Sequence, residues 1–303
     1  MSSMVAFFAT FPGAKTLSFN NLPPNFSRLR SDVGFYTNRG GTIGWLLNSD
    51  GCVVVDSQFP DSANDCLNGI KSMLASDFDL SDADSYKIDA LINTHHHGDH
   101  TGGNESFRNY VKSIVAHENV PGLQEMQASM RGGSSEIVSA DTTFTNSWSL
   151  DVGSETVRAF HYGPAHTKGD SVIHFEEANV VHMGDLVFNR VFPFIDEAGG
   201  ASISNWILLL EQVGNQFDSE TKYIFGHGQQ SYGINGTRAD VLKMRDYLSA
   251  LLEHVHRSLQ LGWSRDETSG ILSLNGFEDY VSFGPRLSLS ANIDVAWNEV
   301  VRE

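Results

Sequence analysis

Short apolar runs separated by polar, glycine-containing turns dominate the first part of the chain. Three such runs lie close together, at residues 33–37, 42–47 and 52–56, and the turns between them contain the Asn and Gly residues typical of hairpins. This pattern predicts an antiparallel β-meander. A helix should follow over residues 61–76, because apolar side chains recur there at spacings of three and four.

Strand-like and helix-like segments then alternate. Further strands are predicted at 89–93, 113–116, 143–144, 156–160, 171–175, 179–183 and 222–225, and further helices at 104–112, 120–130, 202–217 and 238–261. Blocks of sheet and helix that repeat twice predict two sheets packed face to face with helices outside. The apolar stripes of the last two helices are interpreted as core contacts.

Charge and length limit the classes of partner. A chain of 303 residues suffices for one large domain or two small ones. Its net charge of −17, without any run of Lys and Arg, argues against nucleic acid as a partner. The apolar segment at residues 4–11 is too short to span a bilayer and no basic residue precedes it, so no membrane association is predicted.

The two cysteines do not decide the redox compartment. Cys52 falls on a predicted strand and Cys66 on the apolar face of the helix that follows. Such residues are most often small buried hydrophobes. The sequence leaves open whether they form a disulfide.

A cluster of candidate metal ligands follows the predicted strand at 89–93. It has the form His95-x-His97-x-Asp99-His100 and is accompanied by Gly98, Gly102 and Gly103. Imidazole nitrogens and carboxylate oxygens are the usual ligands of zinc and related divalent metals. An expression tag would be a run of His at a terminus, and a solvated loop has no reason for this spacing. The segment therefore predicts a metal site.

This motif resembles the signature of the metallo-β-lactamase superfamily of metallohydrolases. The resemblance implies a lone His, then an Asp or Cys, then a final His, each after a strand, and the chain supplies His166, Asp185 and His227. It implies the α/β fold class of that superfamily, a four-layer αβ/βα sandwich with metals at one edge of the sheets. Residues 31–303 would form this domain with a helical C-terminal extension, after an N-terminal arm or signal remnant at 1–30.

The resemblance also implies the composition of the site. One metal pocket would be formed by His95, His97 and His166, and the other by Asp99, His100 and His227. Asp185 would bridge two Zn²⁺ ions, although iron or manganese would accept the same ligands. Asp99 is the candidate catalytic proton acceptor, and Asp56 is a candidate for orienting a ligand from below.

Three functional hypotheses follow. The favoured one is a hydrolase that uses a dinuclear zinc-bound hydroxide on an ester, lactone, thioester or amide of a small molecule, with weak β-lactam hydrolysis as a second activity. Asp185 stands where dedicated zinc β-lactamases often have Cys, which argues against a dedicated β-lactamase. The alternatives are an oxidoreductase similar to mononuclear-iron persulfide dioxygenases, and a non-catalytic metal-binding module.

Substrate contacts, compartment and assembly are less constrained. Tyr36, Lys168 and Asn189 are candidate substrate-binding residues because they adjoin the ligand segments or the early hairpin. The substrate should depend on loops near 34–42, 128–140 and 186–200. The chain is expected to be soluble, and its resemblance to exported bacterial proteins makes the periplasm one option. The oligomeric state stays open.

Overall fold

The computed structural model describes residues 25–78, 86–132 and 137–302. The predictions for residues 1–24 and for the middle of the 128–140 loop lie outside these ranges.

The first sheet contains seven strands within the described residues and runs in sequence order. Its strands are Asn25–Arg30 (β1), Val33–Thr37 (β2), Ile43–Leu47 (β3), Cys52–Val55 (β4), Ala90–Asn93 (β5), Ile114–His117 (β6) and Thr142–Phe144 (β7). Strands β1 to β4 are antiparallel, and β4 to β7 are parallel. The meander predicted from the apolar runs is therefore present, with a parallel half added to it.

The second sheet contains six strands within the described residues. A separate pair of short strands lies beside it. In chain order, the strands of the sheet and of this pair are Ser147–Val152 (β8), Glu155–Phe160 (β9), Val172–Phe175 (β10), Val180–His182 (β11), Phe188–Asn189 (β12), Lys222–Ile224 (β13), His227–Gly228 (β14) and Asn235–Gly236 (β15). The sheet order is β15-β13-β11-β10-β9-β8, and β12 pairs with β14. Strands β9, β11 and β13 run in the same direction.

Helices cover the outer faces of both sheets. The α-helices are Pro60–Asp77 (α1), Gly98–Thr101 (α2), Asn104–Arg108 (α3), Asn119–Met130 (α4), Ile203–Gln216 (α5), Arg238–Gln260 (α6), Arg265–Ser269 (α7) and Leu289–Arg302 (α8). No helix in the described ranges is long and apolar enough to cross a bilayer.

Three apolar clusters hold the layers together. The inner faces of the two sheets meet in one cluster, represented by Val55 and Ile173. A second joins α1 to the outer face of the first sheet, and the third joins α5, α6 and α8 to the second sheet. The order helix, sheet, sheet, helix is the predicted four-layer αβ/βα sandwich, and the fold prediction is confirmed.

Several elements differ from the sequence prediction. Residues 25–30 were assigned to the N-terminal arm, but they pair with β2 as an edge strand. The helix predicted at 104–112 ends at Arg108. Strand β8 was not predicted, and the helical C-terminal extension was predicted without the bounds of α7 and α8. In β8 polar and apolar residues alternate strictly and the apolar side chains are the less exposed ones, so the strand pattern was present in the sequence and was overlooked.

Cys52 and Cys66 are free and buried. Both lie in the apolar cluster between α1 and the first sheet. Of the two alternatives left open by the sequence, the structure shows the small buried hydrophobes.

Candidate metal centre

The predicted ligands lie on segments that leave strands at one edge of the sandwich. His95 and His97 follow β5, and Asp99 and His100 lie in the short helix α2. His166 follows β9, Asp185 lies in a 3₁₀ turn after β11, and His227 begins β14 after β13. Because β9, β11 and β13 share one direction, their carboxyl ends meet at the same edge.

Four side chains form what we call the first pocket: His95, His97, His166 and Asp185. His97 Nδ1 lies 3.0 Å from His95 Nε2 and 2.9 Å from His166 Nε2. Asp185 Oδ2 lies 3.8 Å from His95 Nε2 and 3.5 Å from His166 Nε2. All four residues are buried.

The second pocket is formed by Asp99, His100 and His227 together with the other oxygen of Asp185. Asp185 Oδ1 lies 3.0 Å from His100 Nε2 and 3.3 Å from His227 Nε2. Asp99 Oδ2 lies 3.3 Å from His227 Nε2. The Asp185 carboxylate thus presents one oxygen to each pocket.

Outer hydrogen bonds determine which nitrogens of the first pocket carry protons. Each histidine has one ring nitrogen that points away from the pocket. His95 Nδ1 bonds to Thr94 Oγ1, His97 Nε2 to Asp196 Oδ2, and His166 Nδ1 to the Phe194 carbonyl. The carboxylate and the carbonyl can only accept, and the Thr94 hydroxyl already donates to Asp56. The three inward nitrogens therefore present lone pairs, and that of His97 lies 3.0 Å from that of His95 and 2.9 Å from that of His166. Such an arrangement is repulsive unless a cation lies among them.

The second pocket gives a related indication. His100 Nε2 and Asp185 Oδ1 are buried and lie 3.0 Å apart, but their geometry is not that of a hydrogen bond and neither bonds to another described residue. Ligands bound at about 2.1 Å to a tetrahedral zinc lie about 3.4 Å apart. The ligand atoms within each pocket lie within 4.8 Å of one another, and the shortest separation is 2.9 Å. The residues present therefore fit two divalent metal ions.

Charge within the centre keeps its carboxylates ionised. Burial alone would raise the pKa of Asp185, but the imidazoles of His100 and His227 hold that pKa well below its usual range. The same two histidines lower the pKa of Asp99 against the effect of burial. Both carboxylates are therefore available as ligands at neutral pH.

Asp56 links the two pockets through hydrogen bonds. Its Oδ2 accepts hydrogen bonds of 2.7 Å from His100 Nδ1 and from Thr94 Oγ1, and its Oδ1 accepts one from the Thr94 backbone N–H. Thr94 Oγ1 in turn accepts from His95 Nδ1. One fully buried carboxylate thus orients one histidine of each pocket.

Gly226 is required by the close approach of Asp185. A Cβ at this position would lie 2.0 Å from Asp185 Oδ1 and 2.8 Å from the backbone of Gly184. Backbone atoms cannot move aside as a flexible side chain would, so the carboxylate would be displaced.

We therefore expect Gly226→Ala to lower metal affinity at least about tenfold, since loss of outer-shell support alone costs about 10–100-fold. Competition with a chelating dye measures the affinity. Gly122→Ala is the matched control, because Gly122 lies in α4 with nothing within 4 Å of its added Cβ. Equal metal affinity in the two variants would contradict the expectation.

A cavity of about 730 Å³ opens over the centre. Its lining includes the metal-centre residues His97, Asp99, Asp185 and His227. The rest of the wall is formed chiefly by apolar and basic residues, which are Arg39, Phe59, Met126, Met130, Arg131, Phe194, Arg286 and Leu287. The polar residues His96 and Gln127 and the acidic Asp196 also line it.

The three candidate substrate contacts are not among the lining residues of this cavity. Tyr36 is buried against α1, and its hydroxyl lies 3.4 Å from Asp65 Oδ2. Lys168 lies along Gly200. Asn189 donates to the carbonyl of Gly233, which fixes the loop after His227.

The sequence reasoning did not identify Asp196, Arg131 or Arg286. Asp196 Oδ2 lies 2.9 Å from His97 Nε2 and 3.4 Å from His96 Nε2. His96 was not among the predicted ligands, and the structure places it in the cavity wall. The available signal was that Asp196 lies in the 186–200 loop and Arg131 in the 128–140 loop, on both of which the substrate was expected to depend.

Comparison with protein families gives a match to the model described as the metallo-beta-lactamase superfamily over residues 36–229. A curated relative, the cytoplasmic isozyme of hydroxyacylglutathione hydrolase from Saccharomyces cerevisiae, is 27% identical over 169 residues. That alignment covers 53% of this chain, and the chain spans 57% of the length of the relative.

Solved structures share the fold at low sequence identity. A metallo-beta-lactamase from Pontibacter korlensis superposes with a TM-score of 0.54 at 16% identity, over 75% of this chain and 99% of the other. The stereoselective inverting sec-alkylsulfatase Pisa1 from Pseudomonas sp. superposes with a TM-score of 0.66 at 14% identity, over 87% of this chain and 48% of the other. These likenesses concern the fold alone.

Proposed function

This chain belongs to the metallo-β-lactamase superfamily, and we propose that it is a hydrolase that holds two divalent metal ions and cleaves an ester, lactone, thioester or amide of a small molecule. The observation that carries the proposal is the Asp185 carboxylate, whose two oxygens each face one of two adjacent ligand pockets. A closed structural site needs only four ligands, whereas seven side chains converge here.

Each pocket has its own ligands in this proposal. His95, His97 and His166 hold one metal, Asp99, His100 and His227 hold the other, and Asp185 belongs to both. Zinc suits this nitrogen and oxygen set, with iron or manganese as alternatives. When bound, such ions polarise a carbonyl oxygen and lower the pKa of a coordinated water from 15.7 to about 7.

Asp99 is the proposed proton acceptor. Its carboxylate borders both the second pocket and the cavity, and its lowered pKa keeps it ionised. Among the ligands it is the one whose side chain is partly exposed, at 29%. It is therefore placed to take up a proton beside a bound substrate and release it to solvent.

The dinuclear hydrolase is preferred to the oxidoreductase. A mononuclear iron site would occupy the first pocket and leave buried, unpaired ligand atoms in the second. The name of the yeast relative supports a thioester among the candidate substrates. Hydrolysis of β-lactams is a second activity to be screened.

The first test is metal content by elemental analysis of protein purified without chelators, combined with a hydrolysis screen over lactones, thioesters, phosphodiesters and β-lactams. We expect two zinc equivalents per chain and activity that is lost on chelation and restored by zinc. One iron per chain, with oxygen consumption and no hydrolysis, would overturn the proposal.

A further inference from the structure

The cavity above the metal centre has a basic and apolar wall that hydrolysis itself does not require. We infer that the substrate is an ester or thioester that carries a second, anionic group on an apolar chain, and that Arg131 and Arg286 bind this anion. The inference rests on the proposed function and specifies its substrate class.

The first step is the pairing of the arginines. Most arginines in the described ranges bond to a carboxylate, an amide or a carbonyl oxygen, as Arg39 does with Asp61 and Arg265 with Asp294. This is expected in a chain with 20 basic and 37 acidic residues. Arg131, Arg257 and Arg286 make no ion pair or side-chain hydrogen bond with another described residue. Two of these three line the cavity.

The second step is the location of the two guanidinium groups. A Cβ built on Gly98 would lie 3.5 Å from Arg131 Nη1, so this cation reaches the backbone between the ligands His97 and Asp99. The Arg286 guanidinium lies 5.5 Å from the ring centroid of Phe194. That ring is 5.3 Å from the ring of His97. Both cations therefore lie close to the metal centre.

The third step is the apolar surface beside these cations. Met126 and Met130 are one turn apart on α4, next to Arg131, and both line the cavity with Phe59 and Leu287. Met130 is 68% exposed. Flexible methionine side chains at a cavity mouth suit an apolar chain of variable shape.

These features favour a substrate that carries a negative charge. The chain as a whole carries −17 and repels anions, so a local pair of guanidinium groups that have no acidic partner among the described residues is what attracts one to this cavity. Guanidinium binds carboxylate and similar oxyanions through charge-assisted hydrogen bonds. With the scissile carbonyl at the metals, the anion would lie at the far end of the apolar chain.

The test compares two esters that have the same leaving group and the same acyl chain length. One is 4-nitrophenyl hydrogen adipate, which is anionic, and the other is 4-nitrophenyl hexanoate, which is neutral. For the zinc-loaded protein we expect Arg131→Gln and Arg286→Gln each to lower kcat/KM for the anionic ester about tenfold. The value for the neutral ester should stay within about twofold. Arg257→Gln is the matched control, since Arg257 is exposed and does not line the cavity.

A second measurement separates this inference from the proposed function. Titration calorimetry of the zinc-loaded protein with octane-1-sulfonate measures anion binding without hydrolysis. Weaker binding in both arginine variants but not in Arg257→Gln supports the inference even if neither ester is cleaved. Hydrolysis or binding that is the same in wild type and in both arginine variants overturns it and leaves the proposed hydrolase intact.

Discussion

Asp185→Asn is expected to remove at least one of the two bound metal ions and to lower kcat/KM for the best substrate of the screen by at least about a thousandfold. Asn has nearly the shape of Asp but offers one oxygen and one NH₂ group, which is a donor and cannot bind a metal. Since each oxygen of Asp185 faces a different pocket, one pocket must lose its ligand. Loss of outer-shell partners alone costs about 10–100-fold, and a shared ligand should cost more.

Elemental analysis and steady-state kinetics measure the two effects on the same preparation. Asp246→Asn is the control, because Asp246 is exposed on α6 and pairs only with its neighbour Arg245 among the described residues. Circular dichroism of the metal-loaded variant would show that the fold is kept. Two metal ions per chain with full activity in Asp185→Asn would show that Asp185 does not bridge the pockets.

The ligand segments could be recognised from the sequence because their chemistry is local. His95, His97, Asp99 and His100 lie within six residues, directly after an apolar strand, and the other three predicted residues each follow a strand of their own. The end of a strand determines where the next few residues lie. The structure brings all seven together, and their role as metal ligands stays a proposal that the metal analysis tests.

The individual side chains of the cavity wall could not be predicted in the same way, although much of the wall lies in the three loops named from the sequence. Arg131 directly follows α4 in one of these loops and Arg286 precedes α8 outside them, and neither position reveals which side chain reaches the metals. Asp196 reaches His97 across 99 residues of sequence. Such contacts depend on the packing of distant elements, for which a single sequence gives no register.

Tyr36 illustrates a second reason. All five residues of β2 are buried, because the sheet is covered on both faces. A strand of this kind lacks the alternation of apolar and polar residues that shows which side chains face outward. The sequence placed Tyr36 correctly in a strand beside the early hairpin, but could not show that its ring faces α1 and not the metals.

Asp56→Ala is expected to weaken both metal pockets at once, which no substitution of a residue confined to one pocket should do. Removal of the carboxylate takes the acceptor from His100 directly, and from His95 through Thr94. Both imidazoles lose their fixed orientation, so metal affinity in each pocket should fall by about 10–100-fold. The metal-free protein should lose about 3–5 kcal/mol of unfolding free energy, because His100 and Thr94 are left buried without their partner.

Two measurements distinguish this coupling from a general loss of stability. Stepwise competition with a chelating dye gives the affinity of each site, and urea unfolding of the metal-free protein gives the stability. Asp89→Ala is the control for loss of a partly buried carboxylate, since Asp89 precedes β5 in the same sheet and accepts from Lys112 Nζ and the Cys52 backbone N–H, neither of which belongs to a metal pocket. If Asp56→Ala weakened only the pocket that contains His100, the link through Thr94 would be mechanically unimportant, and the two metals would be held by independent supports.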